Sequence, residues 1–271
     1  MPLTAFQKET LAELSASEGA QERYLAGGAA LHFSPNSVRF SDDLDFFHDM
    51  VARVGRAFDA DRVILEGAGY QVKVGLSLPG FIRAVVSQGE DATRVDWARD
   101  SAWRFMPLVR EPLGGFMLHP VDLAVNKMLV LAGRDEARDF VDALFVHRRV
   151  LPLPGLCWAA AGKDPGFTPL SLLELLKRRG RPREDEIRRL NLAEPFDLRG
   201  AKEEWLEALA FTEAFVRERP PEELGCLYYS VAEDRFTLPE LGTSLEVQGL
   251  VPHFGTPGGV VPRVVENGEG E

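Results

Sequence analysis

Asp43 and Asp45 stand two residues apart in the run Ser41-Asp42-Asp43-Leu44-Asp45-Phe46-Phe47. The apolar alternation predicts a strand, and on a strand positions i and i+2 point to the same face. Carboxylates so close repel each other unless a proton or a cation comes between them. A hard divalent cation, Mg2+ above all, resolves the repulsion with oxygen ligands and binds nucleotide phosphates while keeping some of its waters. A third carboxylate, Asp96 in Thr93-Arg94-Val95-Asp96-Trp97, falls on another predicted strand, where an unpaired charge in a half-buried sheet is costly. Brought beside the first two by a neighbouring strand, it completes a ligand set suited to two-metal phosphoryl or nucleotidyl transfer. An isolated Asp-x-Asp also serves simply to end a strand or solvate a loop. Ahead of it, however, Gly27-Gly28 follows the apolar Tyr24-Leu25-Ala26, and glycines after a strand let backbone N–H groups approach a triphosphate. The conjunction points to nucleotide chemistry where neither part does alone.

The elements that must position these residues follow from periodicity. Residues 4–18 place Phe6, Leu11 and Leu14 at helical spacing, and residues 48–60 place Met50, Val51, Val54, Ala57 and Phe58 on one side of a second helix. Between 70 and 110, YQVKVGLSL, FIRAVVSQ, TRVDWA and WRFMPLV are rich in β-branched and aromatic residues and predict successive strands, with a turn at Gly114-Gly115. The expected sheet is mixed and largely antiparallel, with the Asp43–Asp45 strand beside the others. After residue 118 the pattern turns helical: Pro120 opens a helix that Gly133 ends, and further helices are predicted over 135–149, 154–162, 168–179, 183–191 and 199–218. Residues 227–231 read as a short strand. The expected organisation is an α/β core over 1–118, a helical region over 119–240 completing a cleft, and a flexible Gly/Pro-rich tail over 241–271.

Composition narrows the function classes. The chain has 271 residues, 45% of them apolar and 27% charged, and a formal net charge of -11 from 31 basic and 42 acidic residues. That balance argues against a general nucleic-acid coat and equally suits a cationic acceptor. The one dense basic stretch, Lys177-Arg178-Arg179-Gly180-Arg181-Pro182-Arg183 with Arg188 and Arg189, reads as a solvated helix end or as an RNA-backbone contact. Cys157 and Cys226 belong to no metal or disulfide pattern, and the five histidines show no ligand spacing. The opening MPLTAFQKET has neither a basic n-region nor an apolar h-region, and no run approaches the roughly 18 apolar residues of a membrane span. The expectation is a cytoplasmic chain with no membrane contact.

Tyr24-Leu25-Ala26-Gly27-Gly28-Ala29-Ala30-Leu31, followed by Arg39-Phe40-Ser41-Asp42-Asp43-Leu44-Asp45-Phe46-Phe47, resembles the signature of the AbiEii/AbiGii toxin-type nucleotidyltransferases of the polymerase-β-like superfamily. A second block, Asp122 to Lys127 and then Arg134 and Arg138-Asp139-Phe140-Val141-Asp142, resembles that family's lysine-bearing helix and the Arg-Asp-x-x-Asp helix after it. The resemblance covers roughly residues 20–150. It implies an α+β fold with a polymerase-β-like nucleotidyltransferase core and a following helical region. It implies Mg2+, one ion or two, on Asp43, Asp45 and Asp96, and a nucleoside triphosphate (NTP) as substrate. Gly27 and Gly28 would hold the phosphates, Ser41 would hydrogen-bond one, Lys127 would contact the triphosphate and Asp142 would support the site. Without the resemblance, Lys127 among Leu123, Val125, Met128 and Leu129 reads as a snorkelling surface lysine, and Arg138 with Asp142 as an ordinary helix pair. Residues 29–42, a long spacing for this superfamily, predict a loop over the site around Phe33-Ser34-Pro35-Asn36.

The function this implies is transfer of a nucleotide from an NTP to an acceptor, RNA of tRNA type, by a toxin that a cognate antitoxin protein restrains. Nucleotidylation of a small cationic molecule or of a protein, and a nucleotide-binding module without turnover, are the alternatives.

Overall fold

The β-branched and aromatic runs form the sheet that the alternation predicts, and helices cover one of its faces. The structure is a computed structural model and describes residues 3–15, 23–33, 37–110, 113 and 115–262. The expected helix end at 16–18, loop residues 34–36, Gly114 of the Gly-Gly turn and tail residues 263–271 lie outside the described residues. In chain order come α1 (Ala5–Ser15), β1 (Tyr24–Ala26), α2 (Gly27–Leu31), β2 (Asp43–His48), α3 (Val51–Gly67), β3 (Gln71–Leu78), β4 (Phe81–Gln88) and β5 (Asp91–Arg99). They are followed by β6 (Trp103–Arg104), β7 (Val109–Arg110), β8 (Phe116–Met117), α4 (Pro120–Gly133), α5 (Ala137–Arg149), α6 (Leu153–Lys163), α7 (Pro169–Arg179), α8 (Glu184–Ile187) and α9 (Leu198–Glu218). The strands β9 (Leu227–Ser230), β10 (Arg235–Thr237), β11 (Leu250–His253) and β12 (Thr256–Pro257) complete the series.

Two compact units result. The first comprises Met1–Ala102, Pro107–Leu123 and Glu184–Phe196, and the second Trp103–Met106, Ala124–Arg183 and Asp197–Glu271. In the first, a seven-stranded sheet runs in the order β3-β4-β5-β2-β1-β8-β7. Most neighbours are antiparallel, while β2–β5 and β1–β8 are parallel. The α+β class and the mixed, largely antiparallel sheet are as expected. Strand alternation sends Leu44 and Phe46 of β2, Val95 and Trp97 of β5, and Ile82, Ala84 and Val86 of β4 to one face, where all are buried. There α3 and α1 pack against them. Phe58 of α3 meets Trp97 edge to face, with centroids 5.1 Å apart. Asp61 of α3 accepts the Trp97 indole N–H at 2.8 Å and the Arg23 guanidinium at 2.6 Å, which satisfies a wholly buried carboxylate. Every residue that alternates with this core set is displayed on the opposite face.

The second unit is helical with a small sheet, β10-β9-β11. Trp158, Phe215, Cys226, Tyr228 and Leu250 form one core cluster there. Thr168 caps α7 in a reciprocal capping box with Ser171, and Asp197 caps α9 through the Gly200 N–H. The Gly/Pro-rich segment after 241 carries β11, and His253 at its end meets the Phe105 carbonyl at 2.9 Å.

Two expectations are corrected. Residues 103–109 do not form one strand: β6 pairs with β12 and β7 with β8, because Pro107 between them lacks the N–H that a continuous ladder needs. The helix expected over 183–191 stops after one turn at Ile187. The following chain pairs with residues 38–40 instead, through Phe40 N–H to Asn191 O at 2.9 Å and Ala193 N–H to Val38 O at 3.0 Å.

Candidate active site

The sheet register collects the acidic residues. In the parallel β2–β5 pair Asp45 lies opposite Asp96 and Asp43 opposite Arg94, and in the antiparallel β4–β5 pair Arg83 lies opposite Asp96. Directly opposed residues share a face. Asp43, Asp45, Asp96, Arg83 and Arg94 therefore stand together on the face turned away from α1 and α3. The strand reading of Asp43-Leu44-Asp45 holds, and Leu44 between them is wholly buried.

Asp96 is not an unpaired charge, as its strand position had suggested. Arg83 donates to both of its oxygens, Nε to Oδ1 at 2.8 Å and Nη2 to Oδ2 at 2.7 Å. This is the bidentate fork that suits a carboxylate, and it holds the Arg83 guanidinium above the ordinary arginine range. Asp43 is paired in turn with Arg94. Sequence reasoning missed both arginines as site residues. A signal existed for one of them: Arg94 precedes Asp96 by two residues, so a strand must put them on one face. For Arg83 only the strand pairing reveals the contact.

The glycine turn reaches the same place. Ala26 at the end of β1 is in register with Asp45, so the residue after it abuts that carboxylate. Gly27 has φ +65°, and a Cβ there would lie 2.0 Å from Asp45 Oδ2. Only glycine allows this turn and this approach together. At Gly28 a Cβ would meet Arg39 Nη2 at 2.9 Å and Ser41 Oγ at 3.0 Å, so Gly28, Arg39 and Ser41 converge. Ser41 is buried and donates its hydroxyl to the Asp43 carbonyl at 3.0 Å, while Gln7 holds the Ser41 carbonyl at 2.9 Å. These bonds fix the entry into β2 and hence the direction of both aspartates.

Lys127 on α4 and Asp142 on α5 also come together, in the second unit. Lys127 is a buried residue rather than a snorkelling surface lysine; its Nζ lies 2.7 Å from Asp142 Oδ2 and 3.7 Å from Asp139 Oδ1. Arg134 clamps Asp139 through Nε at 2.6 Å and Nη2 at 3.1 Å. Arg138 pairs with Glu136 at 2.7 Å. In the basic stretch Lys177 is bound by Glu174 and Glu213, each at 2.8 Å, and Arg189 lies 3.3 Å from Asp185.

Comparison with known proteins bears on the chemistry of such a face. The family model described as nucleotidyl transferase AbiEii toxin, type IV toxin–antitoxin system, matches residues 9–224. The chain belongs to this family. It is thus an AbiEii toxin nucleotidyltransferase, as the two sequence blocks implied. The solved structure of MenT4, a nucleotidyltransferase toxin of Mycobacterium tuberculosis H37Rv, is similar in fold: TM-score 0.52 at 17% identity, over 80% of this chain and 83% of that one. JHP933 from Helicobacter pylori aligns with TM-score 0.43 at 18% identity, over 79% of this chain and 94% of that one. No curated protein matches the sequence.

The acids on this face of the AbiEii chain are of the chemical kind that a hard divalent cation takes as ligands. Asp43, Asp45 and Asp96 offer only carboxylate oxygens, the ligands such a cation prefers. The groups that pair with Asp43 and Asp96 are arginines with 36% and 41% side-chain exposure. Among the described residues no group of three His, Cys, Asp or Glu side chains is placed to hold a metal ion, so the three carboxylates share a face without forming a ligand cluster. Among the same residues no helix is long and apolar enough to cross a membrane.

Proposed function

We propose that this AbiEii toxin transfers a nucleotide from an NTP to an RNA acceptor of tRNA type in the cytoplasm, with Mg2+ on Asp43, Asp45 and Asp96, and that a cognate antitoxin protein restrains it. The carrying observation is the register that sets Asp45 opposite Asp96, with Asp43 on the same face and Gly27 against the Asp45 carboxylate. Bound there, the cation supplies charge neutralisation on the phosphates and activation of the attacking oxygen. The chain's own residues do the rest. Asp43 and Asp45, pinned by the Ser41 and Gln7 hydrogen bonds, hold their oxygens at fixed positions on a rigid strand. Backbone N–H groups of the Gly27-Gly28 turn take phosphate oxygens, a use of bare backbone that a Cβ would block. Arg39 and Ser41, converging on Gly28, confine the phosphates from the side. Lys127 takes the triphosphate, with Asp142 and Asp139 orienting its ammonium. The basic stretch at 177–189 contacts the RNA backbone.

The test is incubation of the protein with each labelled NTP and total RNA, with and without Mg2+. A labelled RNA species that requires Mg2+ and disappears in the Asp43→Ala/Asp45→Ala variant supports the reading. Pyrophosphate release without labelled RNA for any of the four nucleotides excludes RNA as acceptor. It would turn attention to a small cationic molecule or a protein, which the net charge of -11 suits.

A further inference from the structure

Arg83 and Arg94 on the carboxylate face have no role in the chemistry derived above, yet they engage oxygens assigned to the cation. Arg83 engages both oxygens of Asp96. Arg94 engages Asp43 through Nη2 alone, and its Nε is buried without a hydrogen-bond partner. A buried guanidinium donor left unmade is costly and is uncommon in a finished structural ion pair. The donor set of Arg94 thus exceeds what Asp43 takes up. Both arginines stand on the central strands β4 and β5, directly across from the acids they bind, and both side chains are more than a third exposed.

We propose that Arg83 and Arg94 are exchangeable counter-ions of this site. They hold Asp96 and Asp43 in place while no divalent cation is bound, and they turn to the triphosphate once a cation takes the carboxylate oxygens. The inference rests on the nucleotidyl-transfer reading and adds two triphosphate-binding residues to it. Three physical facts carry it. A dication and a guanidinium a few ångströms apart repel each other, so binding of the cation to Asp43 and Asp96 loosens both arginines. A loosened arginine keeps a planar fork that matches phosphate as well as carboxylate. The triphosphate that accompanies the cation is the nearest new anion. Before the cation arrives, the same guanidiniums relieve the repulsion among three acids on one face and keep their strands in register.

The predicted signature is two affinities that move in opposite directions. The full-length protein and its Arg83→Gln and Arg94→Gln variants are titrated calorimetrically with Mn2+ alone, and then with the α,β-methylene analogues of the four nucleoside triphosphates in saturating Mn2+. Loss of either arginine should tighten Mn2+ binding about fivefold or more by removing a competitor. It should weaken binding of the analogue roughly tenfold or more by removing a charged donor. Arg83→Lys and Arg94→Lys keep the charge without the fork. They should fold if the glutamine variants do not, and should show Mn2+ affinity near wild type with analogue affinity still reduced. Affinities that stay at the wild-type values, or that shift in the same direction for Mn2+ and analogue, overturn the proposal. If the wild-type protein binds both ligands, the Asp43→Ala/Asp45→Ala variant binds neither and the arginine variants behave as wild type, the exchange idea alone is wrong. If the wild-type protein binds neither Mn2+ nor any analogue, the nucleotidyl-transfer site is wrong and the exchange idea goes with it.

Discussion

Replacing Gly27 with alanine sets two separable costs against each other. The backbone cost comes from φ +65°, a region that an L-residue with a Cβ enters at roughly 1–2 kcal/mol. The contact cost comes from Asp45, whose Oδ2, Cγ and Cβ would lie 2.0, 2.8 and 3.1 Å from the new methyl group. The carboxylate must rotate away, and holding a side chain some 30° off its rotamer costs roughly 0.5–1.5 kcal/mol. The expected loss for Gly27→Ala is therefore about 2–3 kcal/mol, read as a lower midpoint in urea at unchanged slope. Activity should fall further, by about a hundredfold or more in pyrophosphate release, because the moved group is a proposed metal ligand and an error of about 1 Å in such a group costs on that order. Asp45→Ala removes Oδ2 and Cγ. In that background Gly27→Ala should cost only the backbone share, leaving a coupling of about 1 kcal/mol in the double-mutant cycle. Gly28→Ala is the comparison: Gly28 is not at positive φ, so its cost should lack the backbone share and come only from the contacts of its Cβ with Arg39 Nη2 and Ser41 Oγ at 2.9 and 3.0 Å. The reasoning is refuted if Gly27→Ala keeps wild-type stability and activity, or if its cost is the same with and without the Asp45 carboxylate.

Other consequences can be measured alongside it. Asp142→Ala strands the buried Lys127 ammonium with only the more distant Asp139, and should destabilise by about 3 kcal/mol in urea unfolding, most of it regained when Lys127→Met is added. Burial lowers His119 from its ordinary 6.5 to about 4, and its Nδ1 accepts the Val121 N–H at 3.2 Å only while unprotonated. Since the unfolded chain takes up this proton first, the stability it contributes is complete above about pH 6.5 and is lost as pH falls towards about 4, by at most about 3 kcal/mol. A plot of stability against pH should lose part of its slope in that window in His119→Asn. Burial pushes both Cys157 and Cys226 up to about 12, so neither thiol should react with a disulfide reagent at pH 8 until denaturant is added, when both should.

Much of the candidate site's layout was legible in the sequence because its determinants are local. The spacing of Asp43 and Asp45 on an alternating apolar run fixes their common face wherever the strand lies. Gly27 and Gly28 announce a turn because few other residues tolerate one there, and the helix boundaries at Pro120, Gly133 and Thr168 follow from capping and ring chemistry. The failures are also local: alternation carried the predicted strand past Pro107, and helical spacing carried the helix past Ile187, where chain from elsewhere claimed the backbone. What only the tertiary structure decided is the set of contacts between strands. Nothing in the sequence says that Arg83 opposes Asp96, that Asp96 opposes Asp45, or that Ala26 aligns with Asp45 and so drives Gly27 against its carboxylate. Side-chain periodicity gives the face of a strand but not its partner or its register. Those are set by how the whole sheet buries Leu44, Val95 and Trp97 beneath α3, and that burial decides whether each acid meets an arginine, another acid or a turn.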